Sequence, residues 1–176
     1  MGQRVNEMTV LATVDSNELT PFRHMVEQVP EAVIFADTGG LIRVWNRGAE
    51  TLFGFSAREA LGSNLDIIIA ERFRRAHWDG FYAAMTSGHT RHGAQVRTTR
   101  AVHKDGRKLY VELSFSVVVN EAGAVLGSAA VGRDGTARHV SDGALRTRLT
   151  DLEEKTKTGT ICPVAGSGSA PAAGSG

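Results

Sequence analysis

The stretch AVIFADTGGLIRVWN, residues 32–46, sets the local structure at the start of the folded region. Two short runs of β-branched and aromatic residues lie on either side of the turn residues 38–40, which is the pattern of a β-hairpin. Asn46 follows the second run directly, and its side chain suits the N-cap of a helix that contains Ala49, Leu52 and Phe53. The sequence therefore predicts a strand, a tight turn, a second strand and a helix.

The elements around this hairpin are also readable. An amphipathic helix is predicted over 18–29, and Gly54 is predicted to end the helix that Asn46 begins. Ser56 and Glu59 have the spacing of a capping box, which predicts another short helix. The apolar run 65–69 is too short for its period to distinguish helix from strand.

A long helix over 71–87 is followed by three strands, at 94–103, 108–120 and 124–134. The middle strand alternates apolar and polar residues, which predicts one buried face made by Leu109, Val111, Leu113, Phe115 and Val117. The order of elements predicts an α+β fold, with a five-stranded antiparallel sheet and the short helices and the long helix on one face.

Composition excludes several classes of protein. The 176 residues are 41% hydrophobic and 22% charged with a net charge of +1, so we expect one domain and no nucleic-acid partner. No apolar run approaches the roughly 20 residues of a membrane span, and no export signal begins the chain, so a cytoplasmic location is expected. The single cysteine, Cys162, excludes an internal disulfide framework.

The chain is predicted to divide into four segments. Residues 1–17 form a flexible lead-in and residues 18–136 form the domain with its N-terminal helix. Residues 137–157 are predicted to form a short signalling helix of coiled-coil type, because Leu145, Leu149 and Leu152 recur at spacings of four and three. Residues 158–176 are rich in Gly, Ala and Ser and are predicted to be disordered.

His77 lies in the long-helix stretch ERFRRAHWDGFYAAM, residues 71–85. Helical periodicity places Phe73, His77 and Phe81 on one apolar stripe with Ala84, so the imidazole is expected to point inward. Two interpretations remain open. His77 is either a core histidine bonded to one backbone carbonyl, or a ligand to a metal or haem.

Several spaced motifs carry a family resemblance. Residues 26–65 contain Val-Pro, an Asp-x-x-Gly turn, Trp-Asn, Leu-Phe-Gly-Phe and a Glu before Leu-Gly. Lys104-Asp105-Gly106 and the exit Val131-Gly-Arg-Asp-Gly-Thr136 agree as well. The region from about Pro21 to Thr136 resembles a PAS domain, which implies the PAS fold. It looks most like the haem-binding oxygen-sensor subgroup of rhizobial sensor kinases and bacterial direct-oxygen-sensor phosphodiesterases.

The resemblance implies a site for haem b, iron protoporphyrin IX. His77, in the context Arg-x-x-His, matches the axial ligand to the iron, and Arg97, twenty positions later, matches the arginine that bonds oxygen. Arg91 matches a basic residue that reaches the haem propionates, with His92 beside it. Gln95 replaces a methionine that occupies the sixth position in some sensors, which implies five-coordinate or water-bound iron. The other expected contacts are apolar: Ile69, Phe73, Phe81, Leu113 and Phe115.

The face on which Arg97 lies depends on the hairpin that follows it. If Asp105-Gly106 is a two-residue turn, Arg97 opposes Ser114 on the polar face, which contradicts the oxygen-sensor reading. If 104–106 is a three-residue loop, Arg97 opposes Leu113 on the apolar face. Asp and Gly favour the longer loop, but Val96 and Val102 would then share the outer face, so both registers stay open.

The resemblance implies a haem-based gas sensor that binds O2, with CO and NO as further candidates, and that signals to a partner or effector protein. A homodimer is expected. The alternatives are a cofactor-free PAS module that dimerises and a non-covalent flavin sensor. A covalent flavin photoreceptor is disfavoured because Cys162 lies outside the domain. His89 and His92 are too few for a metal site, and no catalytic motif is present, so no enzymatic activity is expected.

Overall fold

Five antiparallel strands form one sheet in the order β2-β1-β5-β4-β3. The strands are β1 (Ala32–Asp37), β2 (Ile42–Trp45), β3 (Arg97–Val102), β4 (Lys108–Val119) and β5 (Val125–Asp134). The structure, a computed structural model, describes residues 19–91 and 95–158. The α+β fold with a five-stranded antiparallel sheet is confirmed. The predicted lead-in 1–17 and the predicted tail 158–176, apart from Thr158, lie outside the described residues.

The helices occupy the positions that the sequence pattern predicts. They are α1 (Leu19–Gln28), α2 (Arg47–Phe53), α3 (Ala57–Ala60), α4 (Glu71–Ser87) and α5 (Thr136–Thr158). The ambiguous run 65–69 resolves as helical, because Leu65–Ile67 is a 3-10 turn capped by the side chain of Asn64. None of the helices in the described residues combines the length and the apolar character needed to cross a bilayer.

Local caps explain where the short helices begin and end. The side chain of Asn46 accepts a hydrogen bond from the N–H of Ala49 at the start of α2. Gly54 ends this helix at φ 78°, a left-handed conformation that favours glycine. At α3, the backbone N–H of Ser56 donates to the Glu59 carboxylate over 2.9 Å, which is one half of the predicted capping box.

The core lies between the inner face of the sheet and helices α2 to α4. Leu109, Val111 and Leu113 on β4 are buried, as the alternation predicts. Phe115 on the same face is 38% exposed, which corrects the prediction of a continuously buried face. Phe115 lines a pocket near the start of β3, which leaves its ring partly exposed.

The chain divides into two compact units between Ala137 and Arg138. Helix α5 runs from Thr136 to Thr158, one residue beyond the predicted range 137–157 at each end. Its leucines are exposed. The predicted assignment of this helix to signalling remains a prediction.

Candidate ligand-binding site

His77 lies on α4 in a mostly aromatic environment. Its ring centroid is 5.0 Å from that of Trp78 and 6.1 Å from that of Phe81. Nδ1 of His77 is buried and has no hydrogen-bond partner, and no other buried side-chain nitrogen or oxygen in the described residues shares this state. Burial lowers the pKa of His77 and the negative charge of Asp66 opposes that shift, so the imidazole is held neutral at neutral pH.

The buried side of α4 differs from the predicted stripe. Phe81 is 8% exposed and is the one buried residue of the helix, and Trp78 and Met85 pack against the core beside it. Trp78, Phe81 and Met85 are spaced by three and four residues, which is the spacing of one helical face. This spacing indicates the side of α4 that packs against the core, and the sequence prediction missed it. Trp78 is held by a hydrogen bond of 2.9 Å from its indole N–H to Asp66.

Phe73 does not share that buried side, which corrects its placement on the inward stripe. Its half-buried ring lies 4.7 Å from the guanidinium of Arg72 and 5.7 Å from that of Arg100. Because Arg100 pairs with Tyr110 on the outer face, Phe73 lies toward the edge of β3. Ile69, by contrast, is half-buried and packs against the core.

The hairpin between β3 and β4 has a three-residue loop. The N–H of His103 donates to the carbonyl of Arg107 over 2.9 Å, and the N–H of Gly106 donates to the carbonyl of His103 over 2.8 Å. Gly106 has φ 86°, the left-handed conformation that this loop requires. Arg97 therefore pairs with Leu113, so both lie on the inner face of the sheet. The three-residue loop was expected to place Val96 on the outer face of the sheet, and this valine is indeed 66% exposed.

A pocket opens at the start of β3, beyond the end of α4. Its volume is about 250 Å³, and its lining residues are Thr90, Arg91, Gln95, Arg97, Thr98, Thr99 and Phe115. Four of the predicted site residues meet here: Arg91, Gln95, Arg97 and Phe115. Phe73, His77, Phe81, Leu113 and Ile69 do not line this pocket, and His92 lies outside the described residues. No carboxylate is among the described lining residues, so the pocket favours an anionic group.

Comparison with known proteins identifies the fold family. The family model described as the PAS fold matches residues 20–135, more than half of the chain. The chain belongs to the PAS family. The PAS domain of a protein from Colwellia psychrerythraea has a TM-score of 0.60 at 24% identity, covering 68% of this chain and 98% of that one. The structure of an RNA-binding light-oxygen-voltage receptor has a TM-score of 0.62 at 22% sequence identity, and the match covers 85% of this chain and 42% of that one.

Two curated relatives carry sensor names. The sensor protein FixL of Bradyrhizobium diazoefficiens is 38% identical over 58 residues, which is 33% of this chain and 12% of FixL. The oxygen sensor protein DosP of Escherichia coli is 26% identical over 96 residues, which is 54% of this chain and 12% of DosP. The matched region thus spans a small part of either relative.

The side chains of this PAS domain include the chemical groups that bind haem, but the pocket is smaller than haem requires. His77 provides a neutral imidazole, which is a good ligand to haem iron. Arg91 and Arg97 provide guanidinium groups for carboxylates. The pocket volume of about 250 Å³ lies just below the roughly 300–1,000 Å³ of small-molecule pockets. Among the residues that the structure describes, no group of three or more His, Cys, Asp or Glu could hold a bare metal ion.

Proposed function

We propose that this PAS domain is a haem-based gas-sensing module in which His77 would hold the haem iron and O2 is the favoured gas. The observation that carries the proposal is the buried Nδ1 of His77, which has no hydrogen-bond partner. A buried polar group without a partner costs roughly 1–3 kcal/mol. A neutral imidazole in this state is suited to bind iron, and the sequence context of His77 supports the same role.

Other residues would hold the haem and select the gas. Haem, when bound, supplies an iron with one position open to a diatomic ligand. Arg91 would pair with a propionate, because a guanidinium recognises a carboxylate through two parallel hydrogen bonds. Arg97, on the inner face of the sheet, would donate a hydrogen bond to the gas. Gln95 would leave the open position free, since an amide is a poor iron ligand.

Apolar side chains would complete the pocket and exclude water. Phe81 and Leu113 are buried and Ile69 is half-buried outside the present lining, whereas Phe115 already lines the pocket. Because the pocket is small and His77 lies outside its lining, haem binding requires α4 to separate from the sheet. The proposal therefore includes a change in how α4 packs, and this change would be passed to a partner or effector protein.

Absorbance of the purified full chain with added haem tests the proposal. We expect a Soret band at one haem per chain that shifts on reduction and again with O2 or CO. His77→Ala should abolish stoichiometric binding, and free imidazole should partly restore it. His24→Ala is the matched control, because His24 is exposed on α1. A chain that stays colourless, or a His77→Ala variant that keeps its full Soret band, would contradict the role of His77.

The second candidate function is a cofactor-free module that dimerises through α1. Leu19, Phe22 and Met25 on this helix are 55%, 62% and 58% exposed, which is an apolar surface without a partner in the described residues. If this is the function, haem does not bind and Phe22→Glu weakens self-association in sedimentation equilibrium. Flavin absorbance in the purified protein would instead favour the non-covalent flavin sensor.

A further inference from the structure

Strand β3 has an open edge. It is the last strand in the sheet order, so one of its sides pairs with β4 and the other side pairs with no strand in the described residues. The N–H of Val102 points to this second side, because it donates to the carbonyl of Ile68 over 2.9 Å. Backbone groups of alternate residues in a strand point the same way, so those of Thr98 and Arg100 also point to the open edge.

The backbone groups at this edge are unpaired. Within the part of the chain that the structure describes, the N–H and C=O groups of Thr98 and Arg100 form no hydrogen bond, and both residues are exposed. Two donors and two acceptors thus alternate along the edge. An extended peptide presents the same alternation and pairs with all four groups. A phosphate group offers acceptors alone, so a nucleic-acid backbone would leave both carbonyls unpaired.

The side chains around the edge are basic. The guanidinium of Arg100 lies 5.7 Å from the ring centroid of Phe73, and that of Arg72 lies 4.7 Å from the same centroid. Neither guanidinium forms an ion pair with a described carboxylate. Glu112 on β4, which opposes the edge strand, is already paired with Arg133 over 3.0 Å. The positive charge at the edge is therefore free to pair with an acidic partner.

The same charges disfavour a second copy of this chain as the occupant. Two β3 edges paired with each other would bring Arg97 and Arg100 of one copy beside those of the other, and like charges on paired strands are destabilising. The start of α4 adds to the positive charge, because residues 71–77 contain three arginines and one glutamate. The edge thus resists pairing with itself and favours an acidic strand.

We propose that the open edge of β3 binds an extended acidic segment of a partner protein, which adds a strand to the sheet by pairing with Thr98 and Arg100. Acidic side chains of this segment pair with the guanidinium groups of Arg100 and Arg72. The hydrogen bond from Val102 to Ile68 ends the open stretch, so the added strand lies beside the first part of β3. This inference does not depend on haem, since His77 and Arg97 take no part in it.

Fluorescence anisotropy of a labelled peptide with the full chain tests the pairing. The probe is the heptapeptide Thr-Glu-Val-Glu-Val-Glu-Thr, and the same peptide with Lys in place of Glu is the charge control. N-methylation of the Glu amides, or separately of the Val amides, removes N–H donors from opposite edges of the probe. Because one edge alone can face β3, we expect one methylated probe to bind about tenfold more weakly and the other to bind like the parent.

Three results would overturn the proposal. If the two methylated probes bind equally well, no strand pairing takes place. If the Lys peptide binds as tightly as the Glu peptide, the charge of the edge selects nothing. If heptathymidylate binds more tightly than the Glu peptide, the edge recognises phosphate and not an acidic strand.

Substitutions at the edge provide a second measurement with the same probe. Arg100→Glu should weaken binding of the Glu peptide roughly five- to tenfold and strengthen binding of the Lys peptide. Arg58→Glu is the matched control, because Arg58 is exposed on α3, which contacts β2 at the opposite edge of the sheet. Equal effects of the two reversals would mean that net charge alone matters, and would refute the site.

A proline at the edge tests the backbone directly. Thr98→Pro removes an N–H that points away from β4, so it leaves the β3–β4 hydrogen bonds in place. This variant should lose binding of the Glu peptide while its far-UV circular dichroism matches that of the wild type. A folded Thr98→Pro variant that binds the peptide with wild-type affinity would contradict the pairing at this edge.

Discussion

Replacing Asn46 by alanine should destabilise the domain more than any surface substitution. Asn46 is 1% exposed and is the one buried polar residue in the described core. Its side-chain oxygen accepts from the N–H of Val33 over 2.8 Å and from that of Ala49 over 2.9 Å. Its side-chain nitrogen donates to the carbonyls of Val26 and Glu31, each over 2.9 Å. One side chain thus joins α1, the start of β1 and the start of α2.

The expected loss follows from these bonds. Four short hydrogen bonds at roughly 1 kcal/mol each suggest that Asn46→Ala lowers the free energy of unfolding by about 4 kcal/mol. A loss of this size should lower the melting temperature by on the order of 15 °C. Asn46→Asp keeps the two acceptor bonds but loses both donors and places a carboxylate against carbonyl oxygens. It should therefore cost about half as much or more.

Urea unfolding followed by circular dichroism measures both variants. Asn120→Ala is the matched control, because Asn120 is exposed and its side chain accepts one bond, from the N–H of Ala124 over 2.8 Å. The control should change the free energy of unfolding by less than about 1 kcal/mol. If Asn46→Ala costs no more than the control, the inference that these bonds hold the three elements together is wrong.

Three further outcomes are expected. Arg97→Ala should lower the affinity for O2 roughly 10- to 150-fold and the affinity for CO by only a few-fold, because bound O2 accepts a hydrogen bond more strongly than bound CO. If the ratio of the two dissociation constants does not change, Arg97 is not a hydrogen-bond donor to the gas. Added haem should raise the melting temperature of the wild-type protein in proportion to the logarithm of the haem concentration, and it should leave the melting temperature of His77→Ala unchanged. Glu59 has its pKa lowered from 4.5 to about 2, chiefly by the hydrogen bond from Lys104. This bond therefore stabilises the fold above pH 4.5 and is lost as the pH falls toward about 2, so Glu59→Gln should flatten that part of the stability profile measured by thermal melts.

Local features of the sequence predicted the elements of this domain well. The hairpin at 32–46, the caps at Asn46 and Gly54 and the end of α4 at Gly88 all depend on residues within a few positions of one another. Turn and cap preferences arise from backbone conformation and from short-range hydrogen bonds, which are the same in any fold. Such features need no knowledge of the tertiary structure.

The site was predicted less completely. Helical period alone allowed several stripes on α4, and the stripe with Phe73 and His77 was chosen over the one with Trp78 and Met85. In the structure Trp78 and Met85 pack half-buried against the core, because Trp78 donates to Asp66 and its ring covers Gly40, where a Cβ would clash with the indole. Both partners are distant in sequence from Trp78, so no local pattern identifies them.

Except for the run 65–69, the sequence by itself determined the kind of each element, and it also determined the α+β class and the resemblance to a PAS domain, since these depend on local conformation and on short motifs. The tertiary structure decided the β3–β4 register, which places Arg97 opposite Leu113, and the grouping of Arg91, Gln95, Arg97 and Phe115 around one pocket. The physical reason is that strand register has a period of two, so a change of one residue in a loop reverses which side chains face the core. Loop composition favours one length without fixing it, and only the pairing of β3 with β4 in the folded sheet selects between the two.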